Sequence, residues 1–210
     1  MQIIWLGHAA FKIIDKEVTV AIDPYDSVGL RMPKFTAQIL VCTSKKPDHY
    51  NTEAIKGEPF LIDGPGEFEI KDVFIYGVDC PSLDKDPKNK ITLFTVEMEG
   101  IKVGHLGDIQ IDNLSEAQME ILNGVDILLV PVGGQGMVDA PKAVKLVQQI
   151  EPRIIIPYSY SVPGLSLKLD KIDVFLKEMG AAKAETLPKL LIKEKDLPQE
   201  ESKVILLAKE

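Results

Sequence analysis

Short strand-forming runs crowd the first half of the chain, and the second half alternates strands with helices. That change of rhythm leaves few architectures open. Residues 2–6, 11–14 and 18–22 are β-rich and are broken by Gly7-His8 and Asp15-Lys16. Residues 38–43 form a nearly continuous apolar run, the mark of a buried strand. Residues 60–62, 68–70, 73–78 and 91–97 continue the pattern, and Glu99-Gly100 turns tightly into 101–106. Beyond residue 114 the period changes. Ser115 and Gln118 form a capping box for a helix over 115–123, and Gly124 stops it. A buried strand over 125–132 follows. Residues 139–150 then form an amphipathic helix with Pro141 in its first turn. A strand over 153–158, a helix over 169–179 ending at Gly180 and a strand over 203–208 complete the chain. The order predicts an α/β fold with sheets packed face to face and helices outside them. With 210 residues and no linker-like stretch, residues 1–210 are read as a single domain.

The charges exclude some partners. The chain has 24 Lys and Arg against 32 Asp and Glu, a net charge of −8. Nucleic acids and anionic membranes call for a basic face, so neither is expected as a partner. No leader-like N-terminus and no apolar run of the roughly 20 residues needed to cross a bilayer is visible, so a cytoplasmic protein is expected. Cys42 and Cys80 fit reduced thiols in that compartment. Loops are expected at 24–34, 79–90, 133–138 and 161–166, and the charged run 85–90 is expected to be solvated. Tyr25, Val28, Leu30, Met32 and Phe35, in and after the first of these loops, either cover a cleft or partner or pack into the core. Oligomeric state and small-molecule ligand are not encoded legibly.

Three histidines, His8, His49 and His105, all fall at turns beside strand ends, with Asp48 and Asp108 close by in sequence to two of them. Singly each reads as a structural hydrogen-bonder. Together they make a constellation at the place where side chains from separate segments converge. Asp23, after a strand, is either a turn residue or a group that orients a histidine. Gly133-Gly134-Gln135-Gly136 lacks a phosphate-loop signature and reads as a turn.

The segments Trp5-Leu6-Gly7-His8-Ala9-Ala10-Phe11, Ile22-Asp23-Pro24, Thr43-Ser44-Lys45-Lys46-Pro47-Asp48-His49, Asp63-Gly64-Pro65-Gly66-Glu67, His105-Leu106-Gly107-Asp108, Pro131-Val132-Gly133-Gly134 and Ile156-Pro157-Tyr158-Ser159-Tyr160 occur in this order. Together they resemble the metallo-β-lactamase fold superfamily, in particular its Zn-dependent hydrolases similar to ascorbate-6-phosphate lactonase. The resemblance implies an αββα sandwich of two packed mixed sheets with helices on the outer faces, and a two-metal site at one edge. It also implies losses. Histidine ligands are replaced by Ser44, Lys46, Ser82 and Ser159, while Asp48, His49 and Asp108 remain as a residual metal set. His8 and His105 correspond to positions near that shell, not in it.

A protonated lysine has no lone pair to offer, and serine is a weak neutral ligand. One histidine with two carboxylates holds a divalent ion weakly, Zn or Mn, or none. The expectation is therefore a divergent member of a hydrolase family that has lost its dinuclear site and acts as a non-catalytic binding or regulatory protein. The alternative is a one-metal hydrolase of an ester, lactone or phosphoester using Asp48, His49 and Asp108. A metal-free enzyme with Lys46, Asp48 and His49 as acid–base groups is a further alternative. Lys46 is either a cation that relieves repulsion between Asp48 and Asp108 or a solvated surface group.

Overall fold

The computed structural model describes residues 1–83 and 90–210, so all of the run 85–90 except Lys90 lies outside the described residues. The strands are β1 (Gln2–Gly7), β2 (Ala10–Ile14), β3 (Thr19–Ile22), β4 (Phe35–Thr36), β5 (Ile39–Val41), β6 (Ile55–Lys56), β7 (Phe60–Ile62), β8 (Gly66–Ile70), β9 (Val73–Cys80), β10 (Ile91–Met98), β11 (Ile101–His105), β12 (Ile127–Pro131), β13 (Ile154–Tyr158), β14 (Glu185–Leu187), β15 (Leu190–Leu191) and β16 (Lys203–Leu207). The helices are α1 (Glu116–Leu122), α2 (Ala140–Ile150) and α3 (Ile172–Glu178). One sheet runs β15-β1-β2-β3-β5-β7 and the other β14-β16-β13-β12-β11-β10-β9-β8. Both are mixed: β1-β2-β3 are antiparallel and β3-β5-β7 parallel, while β8 to β11 are antiparallel and β11-β12-β13-β16 parallel.

The alternation along β1 shows how the layers form. Ile3 and Trp5 enter the core between the sheets, whereas Ile4 and Leu6 face outward against Tyr25 and Val28. The loop carrying Tyr25 and Val28 thus packs as core, and Tyr25 anchors it by donating its hydroxyl to the Leu6 carbonyl at 2.8 Å. On the other sheet β12 and β13 are buried at every position, as parallel strands covered on both faces must be. The expected α/β sandwich of two packed mixed sheets is therefore present, with the helices on the outer face of the eight-stranded sheet. Among the described residues α1 packs on β9 and β10, and α2 packs on β12 and against α3. The outer face of the six-stranded sheet is covered instead by the 24–34 loop and by a short turn bearing Ala54 and Ile55.

The helix ends follow their local chemistry. Ser115 caps α1 with a complete capping box, and Asp139 caps α2. The third helix begins at Ile172, not at residue 169. The Asp170 amide donates to the Gly133 carbonyl and the Asp170 carbonyl accepts from the Ser161 amide, so tertiary bonds hold this stretch extended. No helix among the described residues is long and apolar enough to cross a membrane.

Candidate metal centre

Most of the polar residues buried in this fold gather where the strands end, joined there by the half-buried Asp48. His8 sits in the β1–β2 turn, Asp23 follows β3, and Asp48 and His49 lie in the loop after β5. Asp108 follows β11, and Ser159 follows β13. Crevices beyond the carboxyl ends of parallel strands are where α/β sheets place binding sites.

Asp23 is the anchor of this cluster. Fully buried, it accepts the Thr43 amide at 2.7 Å, the Thr43 hydroxyl at 2.6 Å and His49 Nδ1–H at 2.8 Å. The Nδ1 proton is assigned from this network, since a carboxylate can only accept. His49 thereby turns Nε2 toward Asp108, 3.0 Å from Oδ2, within ion-pair range but out of line for a hydrogen bond. His8 places Nδ1 3.0 Å from Ser159 Oγ and Nε2 3.7 Å from Asp48 Oδ2. The His8 and His49 rings meet edge-on with centroids 5.2 Å apart.

One ligand-type atom from each of His8, His49 and Asp108 lies within 4.8 Å of the others, and all three residues are buried. His8 Nε2, His49 Nε2 and Asp108 Oδ1 have no hydrogen-bond partner. Buried polar atoms without partners are rare, and three converging on one point call for a common acceptor of their lone pairs. A divalent cation fits that description. Imidazole nitrogens with carboxylate oxygens suit Zn, Mn or Fe.

Electrostatics agree with a site built for positive charge. Burial disfavours a charged His49, but Asp108 and Asp23 outweigh it and lift its pKa well above the usual histidine value. Burial likewise opposes ionisation of Asp108, yet His49 foremost, then His8 and Lys46, hold its carboxyl far below the usual range. The two carboxylates beside His49 thus favour its protonated form.

Of the sequence-derived set, His49 and Asp108 share the converging group with His8, while Asp48 is half-buried at its rim, Oδ2 3.7 Å from His8 Nε2. Lys46 is half-buried and forms no ion pair among the described residues, although its charge reaches Asp108. Ser44 Oγ accepts the Lys46 amide at 3.3 Å. Ser82 lines a separate groove with Asp79, Cys80 and Gln118. Burial, with Asp79, pushes the Cys80 thiol up to about 12, so this is an inert thiol. His105 stands outside the cluster, as expected: Nε2 donates to the Ala9 carbonyl and Nδ1 accepts from the Gly107 amide, both at 3.0 Å.

His8 is the departure. Expected near the shell but not in it, its ring stands among the converging donors. Its sequence signals were its place in a Gly-His turn at a strand end and the resemblance that set it beside the shell.

Comparison with known proteins accords with this geometry. Residues 2–159 match a β-lactamase superfamily domain model. The chain is 29% identical over 188 residues to a UPF0173 protein of Pyrococcus abyssi, spanning 78% of this chain and 85% of the other. It is 24% identical over 191 residues to a UPF0173 metal-dependent hydrolase of Thermococcus onnurineus, spanning 77% and 85%. Among solved structures, a protein of Thermotoga maritima ascribed to the Zn-dependent hydrolases of the metallo-β-lactamase superfamily superposes with a TM-score of 0.81. The two share 32% identity over 98% of this chain and 97% of that one.

Proposed function

The chain belongs to the metallo-β-lactamase superfamily, and from that premise, with UPF0173 metal-dependent hydrolases among its relatives, we propose that it is a hydrolase working with a single divalent ion. The observation that carries this reading is the set of partnerless buried atoms on His49 and Asp108, with Asp48 at the rim. These atoms lack hydrogen-bond partners, although the His49 and Asp108 groups face each other at 3.0 Å as an ion pair. Ser44, Lys46, Ser82 and Ser159 stand against a second ion, because none of them replaces an imidazole lone pair.

Asp48, His49 and Asp108 would hold the ion. When bound, it supplies Lewis acidity toward the oxygen of an ester, lactone or phosphoester and makes an attacking water available near neutral pH. The chain's own groups prepare that site. Thr43 fixes Asp23, Asp23 fixes the His49 tautomer, and Lys46 adds a positive charge that favours an anionic substrate oxygen.

The test is metal content followed by calorimetric titration with Zn²⁺ and Mn²⁺. One ion per chain is expected, with affinity falling on the order of 100-fold or more in Asp108→Ala, since loss of a ligand exceeds the roughly 10–100-fold cost of losing an outer partner. Chromogenic esters, lactones and phosphoesters then report hydrolysis. Absence of micromolar binding in the native chain would overturn this reading and favour the non-catalytic one, which the replaced residues support.

The pH dependence has a definite sign. His49 must shed its proton before Nε2 can serve an ion, so metal affinity should rise with pH. The rise is about tenfold per unit while one proton leaves per ion bound. Fold stability of the metal-free protein runs the other way. A raised folded pKa contributes fully below the unfolded value near 6.5 and is lost as pH climbs through the folded value. Titrations at several pH values in buffers of different ionisation enthalpy check the proton count.

A further inference from the structure

We propose that His8 is a direct ligand of the ion through Nε2, and that the Ser159 hydroxyl is the group that sets its tautomer. This rests on the single-ion reading above.

The geometry of the two residues argues for it. Ser159 Oγ lies 3.0 Å from His8 Nδ1. When the hydroxyl oxygen accepts Nδ1–H, the lone pair is left on Nε2. That nitrogen is buried, has no partner, and lies 3.7 Å from Asp48 Oδ2. An imidazole kept for packing behaves differently in this same protein. His105 has both nitrogens engaged and its ring stacked on Tyr158 at 4.8 Å.

The backbone is committed to the pairing as well. His8 and Ser159 both hold left-handed conformations, with φ of 47° and 50°. Such conformations cost energy in non-glycine residues and persist where surroundings over-determine them. Two hydrogen bonds do so here. The Ser159 amide donates to the His8 carbonyl at 3.3 Å, and Trp5 Nε1 donates to the same carbonyl at 2.8 Å. Gly7, at φ 106°, lets the chain enter the turn. All of this delivers one ring nitrogen to the donors of His49 and Asp108. Two imidazoles with carboxylates hold a catalytic zinc far better than one, which answers the shortage of good ligands in Asp48, His49 and Asp108 alone.

Only three histidines occur in the chain, so each ring can be followed in ¹⁵N-labelled protein during Zn²⁺ addition. The expected result is that the Nε2 signals of His8 and His49 move at one equivalent while His105 stays. In Ser159→Ala the metal-free His8 should lose its single-tautomer pattern, and Zn²⁺ affinity should fall about 10–100-fold, the usual cost of losing an outer partner. Movement of His49 alone overturns the proposal and leaves the single-ion reading standing. Movement of neither overturns both. Movement of all three signals a general rearrangement and also overturns the assignment of His8.

Discussion

Replacing Asp23 with alanine should destabilise the fold by about 3–5 kcal/mol, the cost typical of removing one partner from a buried charged network. The carboxylate is inaccessible and receives three donors, the Thr43 amide, the Thr43 hydroxyl and His49 Nδ1–H. Alanine leaves all three without acceptors. It also places a residue less tolerant of the left-handed region at a position with φ 45°. In a chain of this size the melting temperature should drop by roughly 10 °C. Asp23→Asn keeps the shape and the backbone tolerance but offers only one acceptor atom, so its melting temperature should lie between the two. The second consequence is chemical. With Nδ1 unclaimed, His49 is free to present the wrong nitrogen to the site, and metal affinity should fall in Asp23→Asn even where the protein remains folded. A melting temperature for Asp23→Ala within 2 °C of the parent would contradict the anchoring role.

The other large effect is expected at Gly133. A Cβ there would stand 2.0 Å from the Ser159 carbonyl oxygen and 3.0 Å from Leu169 Cβ. The first obstacle is backbone, so no rotamer change relieves it. Gly133→Ala should cost on the order of 3–4 kcal/mol, at the upper end for overpacking, or fail to accumulate as soluble protein. Gly64 is the matched control. Nothing lies within 4 Å of its Cβ position, and alanine there should be within about 0.5 kcal/mol of neutral. Circular-dichroism melts of both variants make the comparison. If Gly133→Ala melts like Gly64→Ala, the close approach of the β12 and β13 ends is not as tight as described. The approach matters for the site, because it sets where Ser159 stands relative to His8.

Much of this was legible beforehand, for identifiable reasons. The capping box at Ser115, the cap at Asp139 and the turn at Glu99-Gly100 are local devices whose chemistry lies within a few residues, and local chemistry can be read in one dimension. Asp48 and His49 are adjacent, and Asp108 follows a buried strand, so their arrival at strand ends could be anticipated. His8 could not be placed that way. Its partner Ser159 is 151 positions distant and belongs to the other sheet, and nothing in either neighbourhood names the other. The resemblance implied an imidazole at 159, and the structure shows one reaching that serine from residue 8. The same limit explains the start of α3. Its helical pattern extends back to Leu169, but the Asp170 backbone is claimed by Gly133 and Ser161, which no periodicity reveals. The two-residue strands β4, β6 and β15 were invisible because they exist only as pairings.

The placement of these contacts also bears on how the molecule can move. Two sheets that meet through apolar side chains resist sliding only weakly, since one greasy contact can be exchanged for another. Here His105 to Ala9, Ser159 to His8 and the Thr92 amide to the Thr43 carbonyl all tie one sheet to the other by directional bonds at a single end. These buried bonds resist shear at that end, whereas the opposite end is crossed by an exposed ion pair between the Met1 ammonium and the Glu99 carboxylate. Amide protons near the cluster should be among the last to exchange with solvent, and those at the distant rim among the first.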